Sequence, residues 1–240
     1  MMARNQTKMD AKLKELEASY PEVQHSSIKV DFSELTSITE YRNLITENLV
    51  GKDIAFVALN AGLARMGSVH KIKDRALEEV MRVNGLQVVY AAKVFLEVMM
   101  KREQKSAMVF VSSVAGELVW SGAASYSATK AFVTNLGKST YYEVKDKVDL
   151  MVWTPGMIAT NFAANISNDA AKQKKMMQGG ISCERAVSAM LKDVGHTSCS
   201  DGAIEHAMTN TCAVALMCAC CCAKSGVKRS DKILKEENPE

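Results

Sequence analysis

"AMVFVSSVAGELVWSGAASYSATKAFVTNL", residues 107–136, decides the fold. It opens as an apolar, β-rich run over 107–113, breaks at Ala115-Gly116, and resumes as a helical stretch over 125–146. Strand, loop and helix therefore follow one another within about 40 residues, the length of one β/α unit. The same order repeats on both sides. Upstream, "KMDAKLKELEASY" (8–20) has helical spacing, "SSIKVDF" (26–32) reads as a short strand, and "ELTSITEYRNLITENLVG" (34–51) reads as a helix. "DIAFVAL" (53–59) is a strand bounded by "NAG", and a long helix with an internal glycine is expected over 74–103. Downstream, "VDLMVWTPG" (148–156) is a strand ending in a Pro-Gly break, and "CERAVSAMLKDVG" (183–195) is a helix with a glycine stop. Alternation of this kind, with strands that are near-continuous apolar runs, predicts an α/β fold. Its core is a doubly wound parallel sheet with helices on both faces, in three layers.

In such a sheet, ligands bind beyond the carboxyl ends of the strands. "NAG", Ser112-Ser113 and "TPG" each follow a strand, and "YSATK" (126–130) lies one loop further on. Tyr126 and Lys130 are four apart at the start of a helix and so share a face. A free phenol, with a pKa of about 10, is a poor base near neutrality, and a neighbouring ammonium favours its ionised form. A hydroxyl such as Ser113, thirteen residues before Tyr126, would hold a carbonyl oxygen beside the phenol. Tyr126 would then pass a proton to that oxygen or remove it in the reverse direction.

These motifs together resemble the short-chain dehydrogenase/reductase family. Asn60-Ala61-Gly62 matches its sheet-supporting "NAG". Val83-Asn84-Gly85 carries the helix asparagine of its tetrad, and Ser113, Tyr126 and Lys130 follow in order and spacing. "TPGMIAT", Thr154 to Thr160, matches the segment that wraps the nicotinamide. The resemblance runs from about residue 3 to residue 210. It implies Tyr126 as acid/base, Lys130 as the group lowering its pKa and holding the nicotinamide ribose, Ser113 as the carbonyl anchor, and Asn84 as the holder of a relay water. It implies cofactor contacts from Asn60, Ala61 and Gly62, and from Pro155, Gly156, Ile158 and Thr160. Asp31 matches the acidic position beside adenine, with a plain helix cap as the lesser reading. Arg4 matches a basic position that favours the extra phosphate of NADP over NAD, and reads equally as an exposed terminal charge.

The family also begins with a strand and a TGxxxGxG turn that seats a pyrophosphate at a helix N-terminus. This sequence contains no such turn. It opens at the equivalent of the second strand, so the first strand is expected to be missing from mid-sheet, exposing strand edges. Three readings follow: a shortened form of an ordinary reductase, which the complete tetrad favours; a non-catalytic binding or scaffold protein; and a chain that borrows the unit from a partner. The stretch "SDGAIEHAMTNTCAVALM" resembles the branch of very-long-chain 3-oxoacyl-CoA reductases and 17β-hydroxysteroid dehydrogenases of the endoplasmic reticulum. That implies a ketone on a lipid-like substrate, with a substrate cover over about 160–195 and homodimers.

Composition bounds the rest. The 240 residues fit one domain, placed at 1–210. A net charge of +3 is too small to argue for nucleic acid. No apolar run reaches the roughly 18 residues of a membrane span, and "MMARNQTKMD" has no signal-peptide core. Five of seven cysteines fall between Cys212 and Cys222. Their spacing lacks zinc knuckles, so no metal is expected; they read as reduced thiols of a cytosol-facing protein. Residues 211–240 form a Cys-rich apolar piece and a charged tail. Residues 212–228, apolar then basic, are expected to lie on a membrane surface or to form a buried terminal helix.

Overall fold

The computed structural model describes residues 1–162, 166–167, 169–208 and 210–211. The expected Cys-rich piece and charged tail lie, from residue 212 on, outside the described residues, as does part of the substrate cover.

Strands β4 (Ser106–Val111) and β5 (Val148–Trp153) form the centre. They pair in parallel from Ser106↔Val148 to Val111↔Trp153. Both are apolar on both faces because both faces are covered. The pleat sends Met108, Phe110, Leu150 and Val152 toward one layer of helices, and Val109, Met151 and Trp153 toward the other. The first layer is α2 (Ile38–Asn48), α4 (Gln87–Met99) and α5 (Ala124–Val144); the second holds α7 (Cys183–Asp193). Each fully buried Val, Leu or Phe contributes about 1.5–3 kcal/mol. Gly137 lets α5 lie flat on the sheet. A Cβ there would stand 2.5 Å from a Val152 methyl and 3.2 Å from the Phe110 ring.

Helix ends follow local chemistry. The Asn5 side chain accepts from Lys8 N at the start of α1 (Gln6–Ser19). Ser37 and Glu40 form a reciprocal capping box on α2. Asp169 caps α6 (Ala170–Gln178) and Ser182 caps α7. Neither α6 nor the short edge strand β6 (Cys199–Ser200), which pairs with β5, was visible in the sequence pattern.

Two departures matter for the site. The single long helix expected over 74–103 is divided. Helix α3 (Asp74–Met81) passes into a π-helical turn over Arg82–Leu86 before α4 begins, and Gln87 N donates to Arg82 O across the widened turn. Asn84 and Gly85 lie in that turn. Such a turn puts one extra residue into the coil and re-aims the side chains around it.

The parallel sheet is also interrupted. Among the described residues, strand β1 (Met2–Ala3) pairs only with β2 (Ile28–Lys29), and β3 (Phe56–Leu59) pairs only with β4. Between β1 and β3 runs a cavity of about 510 Å³ bordered by residues of both strands. The strand expected to be missing from mid-sheet corresponds to this slot. The expected strand over 26–32 is correspondingly short, with only Ile28 and Lys29 paired.

Candidate active site

Everything the sequence placed at the carboxyl edge depends on α5 and the loop after β4. Ser112 and Ser113 leave β4 together but do different things. The buried Ser112 hydroxyl donates to Lys130 O (2.7 Å) and lies 2.6 Å from Thr134 Oγ1, so it fastens α5 to the strand end. Ser113 caps the short 3-10 turn Val114–Glu117 through Ala115 N, with its side chain near enough to the Tyr126 phenol to act on it. Gly116 allows that turn to lie against α5, since a Cβ there would meet Ala131 N at 2.8 Å. Ser127 closes the loop by donating to Ala115 O and Leu118 O.

Tyr126 and Lys130 are both buried, at 7% and 5% exposure. Lys130 Nζ lies over the Tyr126 ring, 5.9 Å from its centroid, and donates to Val111 O at 2.8 Å. Gly62 packs against the same ammonium: a Cβ there would be 3.5 Å from Lys130 Nζ and 3.5 Å from Asn84 Oδ1. The π-turn thus brings Asn84 beside the NAG loop. Its Oδ1 accepts from Leu63 N, and its Nδ2 donates to Leu63 O and to Thr129 Oγ1. Both amide N–H groups are engaged, so the side chain acts as a clamp between the NAG loop and α5.

Burial sets the charges. It pushes the Tyr126 phenol up, and the Ser113 hydroxyl opposes it without prevailing. It pulls the Lys130 ammonium down to about 8. The sequence predicts a phenol made acidic by Lys130. The structure gives the opposite net direction, because water is withheld from the phenolate and the cation faces the ring. The phenol is therefore held in its proton-bearing form.

The remaining candidates fall into two groups. Arg4, Asp31, Asn60, Ala61 and Gly62 all border the slot between β1 and β3. Burial pushes the Asp31 carboxyl up, but hydrogen bonds from Ser33 N and Ser33 Oγ, with Arg4 at 4.0 Å, outweigh it and hold the carboxyl below its ordinary value. Asp31 so caps the turn after β2 and does not cap a helix. Pro155, Gly156, Ile158 and Thr160 do not border that slot. Pro155 O accepts from Val114 N, which ties the strand end to the Ser113 turn. Gly156 packs on the His206 ring, Ile158 bridges to Ile181, and Thr160 accepts from Phe162 N.

Sequence reasoning missed the apolar wall around the phenol. Phe162 stands 6.0 Å from the Tyr126 ring, and Trp120 and Ile166 pack on the same cluster with Ala64 and Ala115. Trp120, six residues before Tyr126 in a chain with 6% aromatics, was the available signal. It also assigned nothing to His206, which is buried and lies 3.1 Å from Met157 O through Nε2.

Comparison with known proteins agrees with this fold. A family model described as short chain dehydrogenase matches residues 1–171. The chain is 27% identical over 161 residues to a very-long-chain 3-oxoacyl-CoA reductase of Schizosaccharomyces pombe, covering 64% of this chain and 46% of that protein. A solved structure of a 7beta-hydroxysteroid dehydrogenase superposes with a TM-score of 0.79 at 18% identity, over 96% of this chain and 86% of the other. A short-chain dehydrogenase from Sphingobium yanoikuyae in complex with NADPH superposes with a TM-score of 0.69 at 19% identity, over 80% and 72%. The chain spans under half the length of the first curated relatives it matches, 46%, 37% and 48%.

Proposed function

The chain belongs to the short-chain dehydrogenase family, and from that premise we propose that it reduces a ketone on a lipid-like substrate, a 3-oxoacyl thioester or a steroid, with NADPH. The observation that carries this reading is Tyr126: a buried phenol, kept protonated, with Lys130 over its ring and apolar side chains around it.

The residues present fit the nicotinamide ribose and the 2′-phosphate end of a dinucleotide, while the glycine-rich turn that would seat its pyrophosphate is not in this sequence. The buried Lys130 ammonium carries three N–H donors and gives one to Val111 O. The donors that remain suit ribose hydroxyls beside Gly62, where the missing Cβ leaves room for close approach. Arg4, on the rim of the slot and next to Asp31, is the group that would meet a 2′-phosphate and favour NADP over NAD. Pro155, Gly156, Ile158 and Thr160 follow β5 at the same carboxyl edge, where they would border the carboxamide. When bound, the cofactor supplies the hydride.

The chain's own residues do the rest. Ser113 Oγ orients the carbonyl oxygen. As the carbonyl carbon becomes saturated, its π pair moves to oxygen, and Tyr126 Oη releases its proton there. Lys130 stabilises the phenolate left behind. Asn84 holds the NAG loop to α5 so that these groups keep their spacing. Trp120, Phe162 and Ile166 exclude water and accept an apolar chain or ring. The name of the Schizosaccharomyces pombe relative, together with that wall, supports a lipid-like ketone.

The test is Tyr126→Phe, assayed by NADPH consumption with a 3-oxoacyl-CoA and with a ketosteroid. Turnover should fall about 10²- to 10⁴-fold, with NADPH affinity kept within a few-fold. Turnover near that of the unsubstituted protein would overturn the mechanism. Absence of turnover in the unsubstituted protein, with NADPH bound, would overturn the activity.

A further inference from the structure

The chain leaving β5 is gripped by the chain leaving β6. At the base of the turn, Thr154 N donates to Ser200 O at 2.8 Å, and Thr154 Oγ1 donates to Asp201 Oδ1 at 2.6 Å. The buried Asn210 joins them, its Nδ2 donating to Thr154 O at 3.0 Å and to Asp201 Oδ1 at 2.7 Å. Further along the turn, His206 takes hold. Residues 204–208 are helical, and the imidazole lies so close to Gly156 that a Cβ there would stand 2.9 Å from its Cδ2. His206 Nε2 lies 3.1 Å from Met157 O. A backbone carbonyl only accepts, so Nε2 carries the proton and donates it.

That bond fixes one peptide. Met157 O also accepts from Ile181 N at 3.2 Å, and Ala159 N donates to Ile181 O at 2.8 Å. Ile158 and Ile181 are thus bridged in parallel. Gly180 allows the approach, since a Cβ there would meet Ala159 N at 2.7 Å. In such a ladder the N–H and C=O of Ile158 itself face the other edge. Neither has a hydrogen-bond partner among the described residues. An N–H beside a C=O is the complement of a primary carboxamide, which offers one acceptor oxygen and an NH₂ donor.

The imidazole is a costly way to fill its space. His206 is 3% exposed, and its Nδ1 has no hydrogen-bond partner among the described residues. Leucine would fill the space without burying an unpaired nitrogen, and would lose only the second donor to Met157 O.

We propose that His206 is a positioning residue for the nicotinamide carboxamide, acting through the backbone of the turn after β5. The peptide is planar and trans, so pinning Met157 O to the His206 side turns Ile158 N–H to the opposite side. His206 therefore sets where that donor points, while Asp201 and Asn210 hold the base of the turn. The inference rests on the nicotinamide reading of this edge.

The test compares His206→Leu, which keeps the bulk without a donor, with His206→Gln, which restores a side-chain N–H. Each full chain is titrated calorimetrically with NADPH and with adenosine 2′,5′-bisphosphate, which lacks the nicotinamide. His206→Leu should weaken NADPH binding by about 3- to 10-fold and leave the bisphosphate unchanged, and His206→Gln should bring NADPH back to within about twofold of the parent. In the ligand-free protein, amide exchange at Ile181, which shares Met157 O, should quicken in His206→Leu and recover in His206→Gln. Equal losses for both ligands would make His206 a general support of the fold and overturn the proposal. So would NADPH binding that is unchanged in His206→Leu, or that His206→Gln fails to restore. An unsubstituted protein that binds neither ligand would overturn the nicotinamide reading itself, and this inference with it.

Discussion

Replacing Lys130 with methionine should remove the pH dependence that this one side chain imposes on stability. Lys130 is 5% exposed, and burial brings its ammonium from the ordinary 10.5 down to about 8. Below about pH 8 both folded and unfolded chains hold the proton, and the folded state bears the full penalty of a buried cation. Between about 8 and 10.5 the unfolded chain keeps the proton and the folded one sheds it, so the unfolding free energy climbs with pH. Above that window both are neutral and the penalty is gone. About two and a half pH units correspond to about 3 kcal/mol. Methionine of similar volume has no proton to lose, but it gives up the 2.8 Å bond to Val111 O, a loss of about 1–2 kcal/mol at any pH. Near pH 7 the variant should therefore be as stable as the parent or more so by about 1–2 kcal/mol; near pH 10.5 it should be less stable by about 1–2 kcal/mol. The readout is urea unfolding at a series of pH values, with the parent curve subtracted from the variant curve. Repeating the pair in a Tyr126→Phe background removes coupling to the adjacent phenol. A difference that stays constant to within about 0.5 kcal/mol across that range would refute a cation forced into a dry site.

Three further outcomes follow from particular contacts. Gly137→Ala drives a methyl into Val152 and Phe110 and should lower stability by about 1–3 kcal/mol in urea unfolding, because α5 must lift off the sheet. Asn84→Ala leaves Leu63 N and Leu63 O buried without partners. It should cost about 2–3 kcal/mol, with faster amide exchange at Leu63 and reduced turnover. Arg4→Ala should weaken NADPH binding by about 5- to 10-fold in calorimetric titration and leave NADH binding unchanged; equal losses for both would remove Arg4 from cofactor choice.

The legible part of the fold was the part ruled by local pattern. β4 and β5 are apolar on both faces, and the sequence shows them as uninterrupted runs, so the centre of the sheet and its covering layers could be read directly. The catalytic candidates were legible for a related reason. Tyr126 and Lys130 are neighbours along one helix, and the chain leaving β4 returns to them within one short loop. What escaped depended on distant contacts. The π-turn at Arg82–Leu86 exists because Asn84 bonds to Leu63, 21 residues earlier, and no periodicity in 74–103 encodes that pairing. The apolar wall from Phe162 arrives after β5, beyond the reach of any local signal around Tyr126. β6 pairs through only two residues, too few to leave an alternation.

The direction of the Tyr126 shift is the instructive discrepancy, because it bears on which way the reaction runs. A lysine four residues on is enough to place a cation on the same face, and pairwise Coulomb reasoning then lowers the phenol. That reasoning treats water as the medium for both groups. Here α5 is pressed to the sheet at Gly137 and to the Ser113 turn at Gly116, so both groups are dry. Desolvation acts on each charged form separately and drives the two pKa values in opposite directions, the phenol upward from its ordinary 10 and the ammonium from 10.5 down to about 8. A protonated phenol beside a serine hydroxyl is poised to give a proton to a carbonyl oxygen, the reductive direction. For alcohol oxidation Tyr126 would first have to lose that proton in a site that disfavours phenolate. Oxidation should therefore need higher pH than reduction, and an oxidation rate already at its plateau near neutral pH would show that the cation, and not burial, governs the phenol.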